Sequence, residues 1–154
     1  MKNIDISTLI NGYRKLSPSY GINPYSVTEI ELETLLFENN TDAVNTLHPS
    51  TNLIAIGIWK DYSQSDLKDY IKSSKEFGYL DIEKQESFLE FRLNQLSETK
   101  ALEQWKINQA TIAFGLLTSI ATQEGYKIKE FDNDGLTKRV SLPEQKIIYL
   151  IALS

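Results

Sequence analysis

The chain of 154 residues contains no cysteine and a single histidine, His48. Without cysteine there is no disulfide, no thiolate nucleophile and no cysteine-ligated zinc or iron–sulfur centre. One histidine excludes a His-rich metal site, and a Ser-His-Asp triad would have to be assembled around His48. Its neighbours Leu47, Pro49 and Ser50 read instead as a loop leading into a strand. Glycine is scarce too. None of the seven is spaced as Gly-x-Gly, so no phosphate-cradling loop of that kind is present. No apolar run reaches the length of a membrane-spanning helix. Met1 to Leu16 mixes polar and apolar residues and lacks the apolar core of a signal peptide. Together these absences lead to the expectation of a cytoplasmic protein.

A basic patch is missing as well. Sixteen Lys and Arg stand against 21 Asp and Glu, and the net charge of −5 argues against a general nucleic-acid binder. The carboxylate pairs Asp61 with Asp66 and Glu83 with Glu86 lie beside lysines, which is the pattern of a solvated face more than of a hydrolytic pair.

What is present is an apolar fraction of 41% and a charged fraction of 24%, the proportions of an ordinary globular domain. The length suits one domain over residues 1–154 with a real core, and no repeat or linker divides it. Asp5 to Leu16 has helical spacing, with Ile6, Leu9, Ile10, Tyr13 and Leu16 in phase. Pro18 ends that helix, and Ser17 to Tyr25 is turn chemistry. Tyr25 to Leu32 alternates as a strand, and Glu33 to Phe37 is a short helical piece. Asn52 to Trp59 (NLIAIGIW) is a near-continuous apolar run, as a strand covered on both faces reads.

Ser63 caps a helix to about Lys75 that Gly78 stops. Asp81 caps another, with Ile82, Gln85, Phe88, Leu89, Leu93 and Leu96 near one face. The strongest signal is Ala101 to Glu124, a helix ending at Gly125. Its stretch Ala110 to Ala121 carries no charge and is apolar on more than one side. Such a helix is expected to be buried on several faces, at the centre of the domain or against a second subunit. A short extended piece follows at Tyr126 to Lys129, then a turn at Asp132 to Gly135 and a brief helix at Leu136 to Arg139. Lys146 to Ser154 (KIIYLIALS) reads as a second fully buried strand. Two buried strands separated by a helical block predict an α/β (α+β) fold, a sheet with flanking helices.

Several residues on this framework carry a family resemblance. They are Trp105, Gln109, Ala113 and Gly115 on the long helix, then Gly125, Phe131-Asp132, Leu136, Leu142-Pro143 and the strand Ile147 to Leu153. Upstream, Ser17-Pro-Ser-Tyr-Gly-Ile-Asn-Pro-Tyr25 is similar to a Pro-Ser-Ser-x-x-x-Gln-Pro-Trp loop. In this order the set resembles the nitroreductase family of FMN-dependent NAD(P)H oxidoreductases. The resemblance implies an intertwined homodimer whose long helix forms much of the interface, with FMN at that interface. It also implies ping-pong hydride transfer from NAD(P)H to nitroaromatic, quinone or similar acceptors, chemistry in which the flavin reacts and no side chain need be catalytic.

The chain departs from the family in three places. The family's Arg-Arg-Ser-x-Arg helix, which holds the FMN phosphate, has no counterpart ahead of Asp5, where Lys2 is the one cation. The family's C-terminal extension with its further basic residues has none after Ser154. The Pro-Ile-Glu-Gly-like loop that donates to flavin N5 is matched by Lys127-Ile128-Lys129-Glu130. Two or three lost charge-assisted hydrogen bonds weaken binding by about 3–9 kcal/mol. Lys127 and Lys129 could compensate near the ring and Arg14 and Lys15 near the phosphate; the alternative is that the first two are solvated surface lysines and the second two a helix-end cation pair. Ser17, Ser19 and Asn23 could bond to the ribityl chain or pyrimidine edge, or simply satisfy the turn. The alternative function is a degenerate member of the same fold that no longer holds FMN tightly and acts as a binding or regulatory module.

Overall fold

A computed structural model of the chain describes residues 23–30, 52–131 and 144–154. The expected helix at Asp5 to Leu16, most of the turn at Ser17 to Tyr25, the piece at Glu33 to Phe37 and the helix at Leu136 to Arg139 lie outside the described residues. The fold class is α+β, as the sequence predicts. Four strands form one antiparallel sheet: β1 (Tyr25–Ile30), β2 (Asn52–Trp59), β3 (Ile128–Phe131) and β4 (Gln145–Leu153), in the order β1-β2-β4-β3. Four helices lie between β2 and β3: α1 (Gln64–Ser73), α2 (Lys75–Gly78), α3 (Ile82–Gln95) and α4 (Thr99–Gln123). Among the described residues no helix is long and apolar enough to cross a membrane.

The two central strands are the apolar runs of the sequence. Every residue of β2 from Leu53 to Ile58 is buried. Alternation divides them between two cores, because successive side chains point to opposite faces. Ile54, Ile56 and Ile58 pack with Ile151 and Leu153 of β4 and with Ala110, Ala113, Leu117 and Ala121 of α4. Leu53 and Ala55 pack on the other face with Leu150, Ala152 and Phe131. β4 differs from its expectation of full burial: Leu150 to Leu153 are buried, while Gln145 to Tyr149 are half-buried or exposed. Its first half lies beside the end of β2 and near the start of α4, where Lys146 reaches Glu103 at 2.9 Å.

The register slips between Ile56 and Gly57, so that Ile56 faces Tyr149 and Gly57 faces Ile147. The slip leaves Ile148 as the extra residue of a bulge. Gly57 permits the close approach there, since a Cβ at this position would meet Gln145 Oε1 at 2.8 Å and the Lys146 carbonyl oxygen at 3.2 Å. The same Gln145 Oε1 accepts a hydrogen bond from Ser26 Oγ across the sheet.

The helix expected from Ser63 to about Lys75 is two helices. Ser63 caps α1 with a capping box: its hydroxyl accepts from the Asp66 N–H and the Asp66 carboxylate accepts from the Ser63 N–H. Ser74 then adopts an extended conformation. Its hydroxyl donates to the Ile71 carbonyl at 2.7 Å and accepts from the Phe77 N–H, ending one helix and capping the next. Asp81 holds the N-cap position of α3 without a side-chain cap bond. Ile82, placed by the sequence on the inner face of α3, is 79% exposed in its first turn. The rest of that stripe packs as expected, with Phe88, Leu89 and Leu93 against Tyr62, Leu67, Ile71 and Leu96 in a third core.

Helix α4 buries one stripe, Lys106, Ala110, Ala113, Leu117 and Ala121, against the sheet. These spacings of three and four residues keep one face toward the strands, and three alanines let the helix axis come close. The opposite side, with Ile112, Gly115 and Ser119, is exposed. Within one chain, then, the stretch from Ala110 to Ala121 is covered by the described residues mainly on the sheet side, while the first half of α4 also packs against α1 and α3 through Ala101, Leu102 and Trp105. The helix ends as expected at Gly125, whose φ of +88° lies in the left-handed region that favours glycine. The Tyr126 N–H donates back to the Ala121 carbonyl at 2.9 Å and sends the chain into β3.

Candidate functional site

Of the residues expected to hold FMN, Arg14, Lys15, Ser17 and Ser19 lie outside the described residues. Asn23 is half-buried just ahead of β1, while Lys127 and Lys129 are exposed at and on β3. The sheet separates these two groups. β1 and β3 are its opposite edges. Tyr25 stands level with Ile58 and Lys146, whereas Lys129 stands level with Ala152, Leu53 and Ile30. Three strand spacings across and about seven residues along place Asn23 roughly 25 Å from Lys129. One chain therefore does not bring Asn23 together with Lys127 and Lys129.

The β3 edge has the stronger geometry. Lys127 and Ser154 exchange both backbone hydrogen bonds, at 2.8 and 3.0 Å. In an antiparallel ladder such pairs alternate, so Lys129 with Ala152 and Phe131 with Leu150 are the next hydrogen-bonded pairs. The N–H and C=O groups of Ile128 and Glu130 then point away from β4. Among the described residues β3 is paired on one side only, which leaves these groups on an open edge. Lys127 and Lys129 share one face there, and Lys129 Nζ lies 5.4 Å from the ring centroid of Phe131. An open-edge N–H donor between two lysines suits the electron-rich N1–C2 and N5 side of a flavin ring. What these residues offer is N–H donors and positive charge on one edge.

A second concentration of chemistry lies around the first half of α4. Trp105 meets Tyr70 edge to face at 5.2 Å and Tyr62 at 6.1 Å. The Tyr70 hydroxyl donates to Gln109 Oε1 at 3.2 Å. Tyr70, Trp105 and Gln109 line a cavity of about 230 Å³ between α1, α3 and α4, together with Lys75, Phe88, Arg92 and Leu96. Tyr62 is pushed well above the ordinary tyrosine range, first by burial and then by the acidic groups of Tyr70, Asp66 and Asp69.

Nearby, a cavity of about 390 Å³ has Lys60, Glu103, Lys106 and Lys146 in its wall. Lys106 is the residue that sequence reasoning missed. It is only 7% exposed, and its Nζ donates to the Trp59 carbonyl at 2.8 Å. Burial lowers its pKa, Glu103 and Asp61 oppose that shift, and Lys146 adds to it. The Lys146 hydrogen bond and charge hold Glu103 below the usual carboxylate range. The signal was available, since position 106 is in phase with 110, 113, 117 and 121 on the buried stripe. Among the described residues no cluster of three or more His, Cys, Asp or Glu is arranged to hold a metal ion.

No family model matches the sequence, and no curated protein matches it. Among solved structures the chain is similar to CLA-ER, an enone reductase catalysing a key step of a gut-bacterial fatty acid saturation metabolism. The TM-score is 0.64 at 12% sequence identity, over 100% of this chain and 78% of that one. At this identity the likeness is one of fold: an α+β sheet carrying a long helix, shared over the whole length of the chain.

Proposed function

We propose that the chain is an FMN-dependent oxidoreductase of nitroreductase type that works as a homodimer. It takes reducing equivalents from NAD(P)H and delivers them to a nitroaromatic, a quinone or, as in the structural neighbour, an enone. The observation that carries this reading is the edge of β3, open among the described residues, where the outward N–H of Ile128 lies between Lys127 and Lys129 and that of Glu130 follows just beyond Lys129. The chemistry a bound flavin supplies is hydride acceptance and two-electron donation. The chain's part is to bind and orient it: the N–H groups supply hydrogen bonds, and the lysines favour negative charge near the ring. A homodimer also answers the separation of Asn23 from Lys127, because each site can draw one edge from each chain. The exposed side of α4 around Ile112 and Gly115 is the surface on which the two chains would meet.

The test is a visible absorption spectrum of the purified protein before and after excess FMN and desalting. A retained flavin band is expected. Replacing both Lys127 and Lys129 with glutamine should weaken retention by about tenfold or more, the worth of one charge-assisted bond. A colourless protein that retains no flavin would sink the oxidoreductase reading for this chain and leave the fold serving as a binding module.

A further inference from the structure

The cavity between α1, α3 and α4 lies on the first half of the long helix, well away from the β3 edge that follows its C-terminus. Its volume of about 230 Å³ is too small for a nucleotide or a drug-sized ligand. It suffices for one ring with a substituent, since about 150 Å³ accommodates benzene. Phe88, Leu96 and the Trp105 ring supply apolar wall. The polar complement includes the acceptors Tyr70, Ser74 and Glu76, but most of its N–H groups are donors without a protein partner among the described residues. Gln109 spends its carbonyl oxygen on Tyr70, so its amide N–H groups remain. The indole N–H of Trp105 and those amide N–H groups donate to no protein acceptor among the described residues. Lys75 and Arg92, which also donates to Gln95 Oε1 at 3.2 Å, line the cavity as well; among the described lining residues Glu76 is the one carboxylate, leaving one excess positive charge there.

An apolar, ring-sized space with donors inside and a net positive lining is complementary to one class of ligand. We propose that this cavity is a binding site for a small aromatic monocarboxylate. The ring lies among Trp105, Phe88 and Leu96, and the carboxylate takes hydrogen bonds from Gln109 and Arg92. The site does not depend on the flavin reading and is testable in the absence of FMN.

The experiment uses the full chain with Trp59→Phe, which leaves Trp105 as the sole tryptophan of the two. Its fluorescence is followed during titration with benzoate, and in parallel with benzyl alcohol and with acetate. Benzoate should give a saturable change in the millimolar range or below. Benzyl alcohol, which keeps the ring but not the charge, and acetate, which keeps the charge but not the ring, should each bind about tenfold more weakly. Arg92→Gln and Gln109→Leu should each weaken benzoate by roughly three- to tenfold. Ligand-observed NMR on the unsubstituted chain gives the same comparison should Trp59→Phe perturb the fold. Absence of a saturable benzoate signal in both measurements overturns the proposal. Benzoate binding that is indifferent to Arg92 and Gln109 overturns it equally.

Discussion

The two sides of α4 are nearly alike in composition and opposite in fate. Between Ala110 and Ala121 neither side carries a charge. The side toward the sheet is built of alanines around a single Leu117, all buried; the far side carries Ile112, the largest of its residues, at 52% exposure. Residue size explains the difference better than hydrophobicity does. A helix that must lie close on a sheet needs short side chains at the contact, so the most buried positions are the least conspicuous apolar ones. The larger Phe114, Leu116 and Ile120 stand at the flanks, half-buried against the same core. Apolar content therefore identifies α4 as a core helix but does not say which side is covered within one chain.

Three substitutions on this helix test the contrast. Leu117→Ala removes the one large side chain from the fully buried stripe. It should cost about 2–5 kcal/mol through lost burial and the cavity left behind, read as a lower urea midpoint. A smaller loss would mean that the helix settles onto the sheet and closes the gap. Ile112→Lys acts on the other side. It should change the folding stability of one chain by less than about 0.5 kcal/mol while dissociating the proposed homodimer, as measured by sedimentation equilibrium. Wild-type protein sedimenting as a single chain at all concentrations would remove the reason for an apolar residue at that position.

The smallest effect belongs to Lys106, the one charge on the buried stripe. Its folded pKa is lowered by burial, so between that value and the ordinary lysine value of about 10.4 the unfolded chain binds more protons than the folded one. Stability should consequently rise with pH across that alkaline window. Lys106→Met should flatten the rise, checked by urea midpoints taken at a series of alkaline pH values. An unchanged slope would assign it to another group.

The fold was legible where burial is decided by long-range composition. The run from Asn52 to Trp59 announced a central strand because no other environment accommodates eight such residues in extended form. Gly125 announced the end of α4 because only a left-handed residue turns the chain there. Local competition was harder to read. The break at Ser74 comes from a hydroxyl bonding backward to Ile71 and forward to Phe77, and any serine in a polar stretch has that option. Ile82 misled because helical phase says nothing about a first turn that projects beyond its neighbours. At the candidate site, the cations at 127 and 129 were visible, but not the ladder phase that points the N–H groups of Ile128 and Glu130 outward. That phase is set by Ser154, nearly thirty residues further on. Lys106 escaped notice because a lone lysine on a helix is usually solvated.

The pairing of β2 with β4 has a consequence for how the molecule comes into being. Asn52 meets Leu153, so the middle of the sheet joins segments about a hundred residues apart, and closing so long a loop must precede any reward from the contact. By contrast, α1, α3 and the start of α4 meet through neighbours close in sequence. On a ribosome that helical corner can form while β4 is still being made. Until β4 arrives, the apolar strand from Leu53 to Ile58 has one unsatisfied flank and is the segment most exposed to mispairing with other chains. Refolding yield should then fall with protein concentration, and the charged helices emerging early should do little to protect it.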